Sequence, residues 1–247
     1  MMKGCAAVFR RELAGYFVTP VAYVFIVIFL ILAGVFAWDS GLGGFYERGQ
    51  ADLRSFFGFM PWLFLFLIPA VSMRMWAEER KGGTIELLLT LPIAQAGAVM
   101  GKFLAAWAFT ALAVALTFPM WITVNYLGSP DNGAVFTAYV GTLLMAGGFL
   151  AVGALLSACT RSQVIAFILT VVACFVLLLA GHPPVIEFLR GWAPSAIVDA
   201  VASFSFLTRF DSLAKGVIDL RDIIFFGSLI GVCLTATGLV LDAKKAE

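Results

Sequence analysis

Arg74-Met-Trp-Ala-Glu-Glu-Arg-Lys-Gly-Gly-Thr-Ile-Glu-Leu-Leu-Leu-Thr-Leu-Pro92 is the stretch from which the rest of the chain can be read. It is the densest patch of charge in a chain that is only 13% charged, and long apolar runs flank it, so it is a connection held outside lipid. Gly82 and Gly83 end the helix that emerges through Glu79, because glycine reaches backbone conformations closed to other residues. Thr84 then offers an N-cap side chain for a new helix. Glu86 falls in its first turn, where a carboxylate meets the positive end of the helix dipole, and Pro92 stops it. Ile85, Leu87, Leu88, Leu89 and Leu91 make that helix too apolar to be wetted on all sides. A loop that only connects two spans has no reason to place them there, whereas a helix that seats in a partner's groove does.

The runs on either side read as membrane spans. Of 247 residues 62% are hydrophobic and the mean hydropathy is +1.01, outside the range of a soluble domain. Six apolar segments lie at approximately Val18–Trp38, Phe56–Met73, Phe103–Val124, Phe136–Ala158, Val164–Gly181 and Ile223–Leu241. Each has the length that crosses a hydrocarbon core of roughly 30 Å at about 1.5 Å per residue. The expectation is an all-α integral membrane protein, a single transmembrane domain over residues 1–247 with six helices. No Asp, Glu, Lys, Arg or His lies inside these runs, with Asp39 and His182 only at two ends, which argues against ion- or proton-coupled transport.

Charge sets the orientation. Lys3, Arg10, Arg11, Arg74, Arg80, Lys81, Lys102, Arg161, Lys244 and Lys245 fall on one side, against Arg48, Arg54, Arg190, Arg209, Lys215 and Arg221 on the other. The positive-inside rule puts both termini and the 74–102 loop in the cytosol, as in a multi-pass protein of the plasma (inner) membrane. The first run starts about seventeen residues in and is as long as a full span, so no signal cleavage is expected. Cys5, Cys159, Cys174 and Cys233 avoid the outer loops and imply no disulfide framework. A net charge of +1 gives no sign of a nucleic-acid partner.

The remaining segments support this core. Residues 3–17 place Cys5, Val8, Phe9, Leu13 and Tyr16 on one helical side, while Arg10 and Arg11 are turned towards headgroups, as in a helix lying in the interface. Pro61 and Pro69 can bend the second span, as a moving or a static kink. Gly147, Ala151, Ala154 and Ala158 form a small-residue stripe, and Gly227 and Gly231 form a GxxxG pair. Such faces let helices approach closely, within one bundle or between two copies. The outer segment 182–222 is still apolar and carries Pro183, Pro184 and Pro194, so short helices dipping into the outer leaflet are expected before the last span. Gly97-Ala-Val-Met-Gly-Lys102 has the wrong spacing for a phosphate-binding loop and runs into a membrane helix. The lone histidine, His182, has no activated serine, metal-ligand pair or membrane aspartate dyad beside it, so no catalytic or metal site is expected.

Three stretches carry a family resemblance. Met73-Arg-x-x-Ala-Glu-Glu-Arg-Lys-x-Gly-Thr-Ile-Glu-Leu-Leu-Leu-Thr-Leu-Pro-Ile93 resembles the segment after the second membrane helix of type-2 ABC exporter permeases, especially the gliding-motility-associated permease subunit. Arg11-Glu-Leu-x-x-Tyr-Phe-x-Thr-Pro20 resembles the opening of that family, and Arg209-Phe-Asp-Ser-Leu-Ala-Lys-Gly-Val-Ile-Asp-Leu-Arg-Asp222 the stretch before its last helix. Arg209 stands where family members often carry His. The resemblance implies that the 74–92 segment holds a cytosolic coupling helix seated on a separate ABC ATPase, with Glu78, Glu79, Arg80, Gly83, Thr84, Glu86 and Leu87 at the contact. It implies that Arg10, Arg11 and Glu12 belong to the interfacial helix. It further implies that ATP and Mg are bound by the partner ATPase and not by this chain. The permease would work with a second copy or a related permease, with an extracytoplasmic accessory subunit possible. A non-transporting anchor that recruits an ATPase for mechanical work on the envelope fits the same residues.

Overall fold

The computed structural model describes residues 2–38, 45, 49–83, 94–191 and 193–244, and among them finds twelve helices and no strand. In chain order the first four are α1 (Met2–Val18), α2 (Pro20–Trp38), α3 (Arg54–Ser72) and α4 (Arg74–Lys81). They are followed by α5 (Gln95–Ala115), α6 (Phe118–Leu127), α7 (Asn132–Cys159) and α8 (Gln163–Leu179). The last four are α9 (Pro183–Arg190), α10 (Ser195–Ser203), α11 (Phe206–Ala214) and α12 (Leu220–Ala243).

Four stretches are long and apolar enough to cross a membrane: Arg54–Lys81, Gln95–Leu127, Asn132–Cys159 and Leu220–Ala243. Two further pairs pass only if each is taken as one span. One is α1 with α2, bent by 74°, and the other α8 with α9, bent by 76°. Among the described residues there are therefore four to six candidate crossings. The second and third spans extend beyond their apolar runs: α4 carries the second on to Lys81, and α5 begins at Gln95, about two turns before Phe103.

Helix α7 is the hub, packing against α3, α4, α5, α8, α11 and α12. Its sequence explains why. Ala146, Ala151, Ala154 and Ala158 are fully buried, and glycines lie between them where neighbours come closest. A Cβ at Gly153 would sit 2.5 Å from Ser72 Cβ, and one at Gly147 would lie 3.0 Å from Ile230 and 3.4 Å from the Trp107 indole nitrogen. Small residues are what permit such approach where packing, not water exclusion, drives association. Gly147 and Ala151 thus face neighbours of the same chain. By contrast, a Cβ at Gly227 or Gly231 would meet nothing within 4 Å, so that pair is turned away from the described bundle.

Capping side chains start several of these helices. Asp131 accepts from the amides of Gly133 and Ala134, Ser205 from Thr208, and Asp219 from Arg221. Between α8 and α12, α11 buries Phe206, Phe210 and Leu213 against α7. Arg209 reaches from α11 to Asp222 at 3.1 Å and lies 5.7 Å from the Phe225 ring centroid, while Ser212 also hydrogen-bonds Asp222. Asp222 is buried, and these two partners are what make a carboxylate tolerable there.

Candidate functional site

The site is built where three helices meet beside the charged loop. Lys102 of α5 is 4% exposed, and its Nζ lies 2.9 Å from Glu79 Oε1 of α4 and 3.3 Å from Glu12 Oε2 of α1. Arg11 contacts the same two carboxylates, at 2.5 Å from Glu12 and 3.3 Å from Glu79. The hydrogen bond to Glu12 raises the Arg11 pKa above its ordinary value. Two cations and two carboxylates from three helices therefore neutralise one another. The Lys102 ammonium also stands 5.2 Å from the centroid of the buried Trp76 ring, a cation–π contact in a dry setting.

The approach of α1 depends on the residue before the lysine. A Cβ at Gly101 would lie 2.9 Å from both the Cys5 carbonyl and Val8 Cβ. Gly101 lets α1 cross α5 closely, Val8 is buried in the crossing, and Lys102 then binds the carboxylate that α1 delivers. Arg10 stays exposed, on the face away from this contact.

A second device fixes α4. The first amides of a helix have no partner within it, and Met73, which precedes α4, has no side chain able to cap them. Ser157 supplies the cap from α7: its Oγ accepts from the amides of Trp76 and Ala77, each at 3.1 Å, and donates to the Met73 carbonyl at 2.9 Å. The last carbonyls of α7, next to Ser157, are satisfied in turn. Arg80 donates to the Ala158 carbonyl at 2.8 Å and Lys244 to that of Cys159 at 2.7 Å, which places cations at the negative end of the helix. Beyond α4, Gly83 takes a φ of +68°, the left-handed turn that ends a helix, and the Glu78 backbone carbonyl accepts from the Gly82 amide. Ser157→Ala leaves two buried amides and a carbonyl without their partner. It is expected to lower stability by about 1–3 kcal/mol, read as a fall in thermal unfolding temperature in detergent.

With this geometry in view, comparison with known families gives a match to the ABC-2 family transporter protein over residues 19–222. The chain belongs to the ABC-2 transporter family. Comparison with curated proteins found no match. ABC-2 proteins are multi-pass permease components of ABC transporters, not normally catalytic themselves, and their family implies an ABC ATPase as partner. The matched range takes in Glu79, Lys102 and Ser157, and begins after Arg11 and Glu12.

The residues singled out from the sequence divide into groups. Glu78, Glu79 and Arg80 lie on α4, and Gly83 ends it. Arg11, Glu12 and Glu79 come together in one cluster. Thr84, Glu86 and Leu87 lie outside the described residues. Sequence reasoning missed Lys102 and Ser157. Lys102 carried a signal: a single cation directly before an apolar span, with Ala98, Val99 and Gly101 before it and Phe103 after it, is a lysine inside a helix in need of a carboxylate. Ser157 carried none, because its partners are about eighty residues away.

Proposed function

We propose that this chain is the membrane-spanning subunit of an ATP-driven exporter in the inner membrane, with both termini cytosolic, working as a homo- or heterodimer of permeases. A separate ATPase, which binds ATP and Mg, seats on residues 74–92 and drives substrate movement through them. The observation that carries the reading is the clamping of α4. Glu79 ties it to α1 and α5, while Ser157 and Arg80 tie it to α7, so a push delivered at the loop reaches most of the bundle at once. A helix held on so many sides transmits displacement instead of absorbing it.

The test is the ATPase rate in proteoliposomes. The ATPase encoded nearest to this chain is expected to hydrolyse ATP several-fold faster when reconstituted with the permease than alone. An unchanged rate would contradict the coupling.

A further inference from the structure

A cleft of about 550 Å³ opens between α1, α2, α3 and α4, with part of α5 as its floor. That is the volume of a small-molecule site. Its lining is divided by chemistry. One end carries the ion cluster together with Arg74 and Glu78, and the rest is apolar, running along α2 past Phe25 to Ile28. From Thr19 to Ile28 the cleft follows α2 for about 14 Å, close to half of a hydrocarbon core of roughly 30 Å. It is therefore one leaflet deep, with its charged end at the interface. Val24 and Ile28 line it and yet are 53% and 43% exposed, so it is open sideways to the acyl chains of that leaflet.

The charges at its head do not all cancel. Arg11, Glu12, Glu79 and Lys102 pair with one another, but none of the ion pairs among the described residues includes Arg74 or Glu78. Arg74 Nε is buried and has no hydrogen-bond partner. A buried guanidinium N–H left without an acceptor is costly, and the planar fork of arginine fits phosphate oxygens better than any other common group. Glu78 lies four residues on, on the same side of α4 and with the opposite charge. A phosphate on Arg74 would place a short amine arm within reach of the Glu78 carboxylate.

We propose that the cleft binds one membrane phospholipid with a primary ammonium headgroup. Its phosphate is taken by Arg74, its ammonium by Glu78, and an acyl chain lies along α2. The site goes beyond the transport reading; it shares Arg74 and Glu78 with the proposed docking segment, but its test uses the permease alone and so reads out independently of ATPase docking.

Native mass spectrometry of the detergent-released protein tests this, with phosphatidylethanolamine, phosphatidylglycerol and diacylglycerol of identical chains added separately. The wild type is expected to retain one phosphatidylethanolamine at least ten-fold more tightly than diacylglycerol and several-fold more tightly than phosphatidylglycerol. Arg74→Gln removes the preference for both phospholipids over diacylglycerol, and Glu78→Gln removes only the preference for phosphatidylethanolamine over phosphatidylglycerol. Gly15 lines the cleft, and a Cβ there meets nothing within 4 Å, so Gly15→Leu puts a side chain into the cleft with room for its first atom and is expected to lower retention of all three several-fold. That variant decides the matter even if Arg74→Gln fails to fold. Equal retention of the three lipids by the wild type, or undiminished retention by Gly15→Leu, would overturn the proposal. Phosphatidylglycerol held as tightly as phosphatidylethanolamine would overturn the assignment of Glu78.

Discussion

Lys102→Met is expected to destabilise the protein by about 3–5 kcal/mol, the usual consequence of removing one partner from a buried ion pair and leaving the other charge uncompensated. Two carboxylates lose a partner here, since Glu12 and Glu79, 23% and 17% exposed, both pair with the Lys102 ammonium. Methionine keeps most of the side-chain volume, so the loss reports charge more than packing. Removing one carboxylate as well should reverse it: Lys102→Met combined with Glu79→Gln is expected to recover most of the stability, because Arg11 and Glu12 then remain as a neutral pair. Thermal unfolding in detergent measures both. A loss below about 1 kcal/mol for the single variant would place the cluster in water, as with surface pairs.

Gly153→Leu is the second large effect. The first atom of the new side chain would already lie 2.5 Å from Ser72 Cβ and 3.2 Å from Thr170 Cγ2, and the atoms beyond it have no space between α3, α7 and α8. Overpacking of this kind costs about 1–3 kcal/mol and more where backbones must part. Since α3 runs on into α4, displacement of α3 at Ser72 also pulls the Trp76 and Ala77 amides from Ser157. The expected result is loss of the folded monodisperse species in size-exclusion chromatography. Gly227→Leu is the control. Its Cβ would meet nothing within 4 Å, so the variant should run as wild type if that face meets only lipid; failure there would show that another protein surface covers α12.

These two glycines show where sequence reading stops. Gly147 and Gly227 both stand in stripes of small residues at helical spacing, yet Gly147, like Gly153 on the same helix, faces neighbours while Gly227 and Gly231 face outward. The pattern gives the face of a helix but not what lies across from it. Membrane class and helical content were legible because composition and run length determine them directly. Helix ends were less so. The run beginning at Phe103 was cut short by Lys102, although the helix starts at Gln95, because a paired lysine is as compatible with burial as an apolar residue and only its partners reveal the pairing. Glu79 was expected at an ATPase contact, whereas its bond to Lys102 lies within the chain, crosses between helices and has no local signature. The bends of 74° and 76° fall beside Pro20 and Pro183, which marks the places where a span can break but not the angle.

The central claim is that an ATPase docks on residues 74–92, and capture of that subunit tests it most directly. Detergent-solubilised wild type and a Glu86→Arg, Leu87→Asp double variant are each used to pull down the ATPase encoded nearest to this chain. The account predicts capture by the wild type and loss of capture by the variant, with both running at the same position in size-exclusion chromatography. Equal capture by the two forms, or capture by neither, would contradict it.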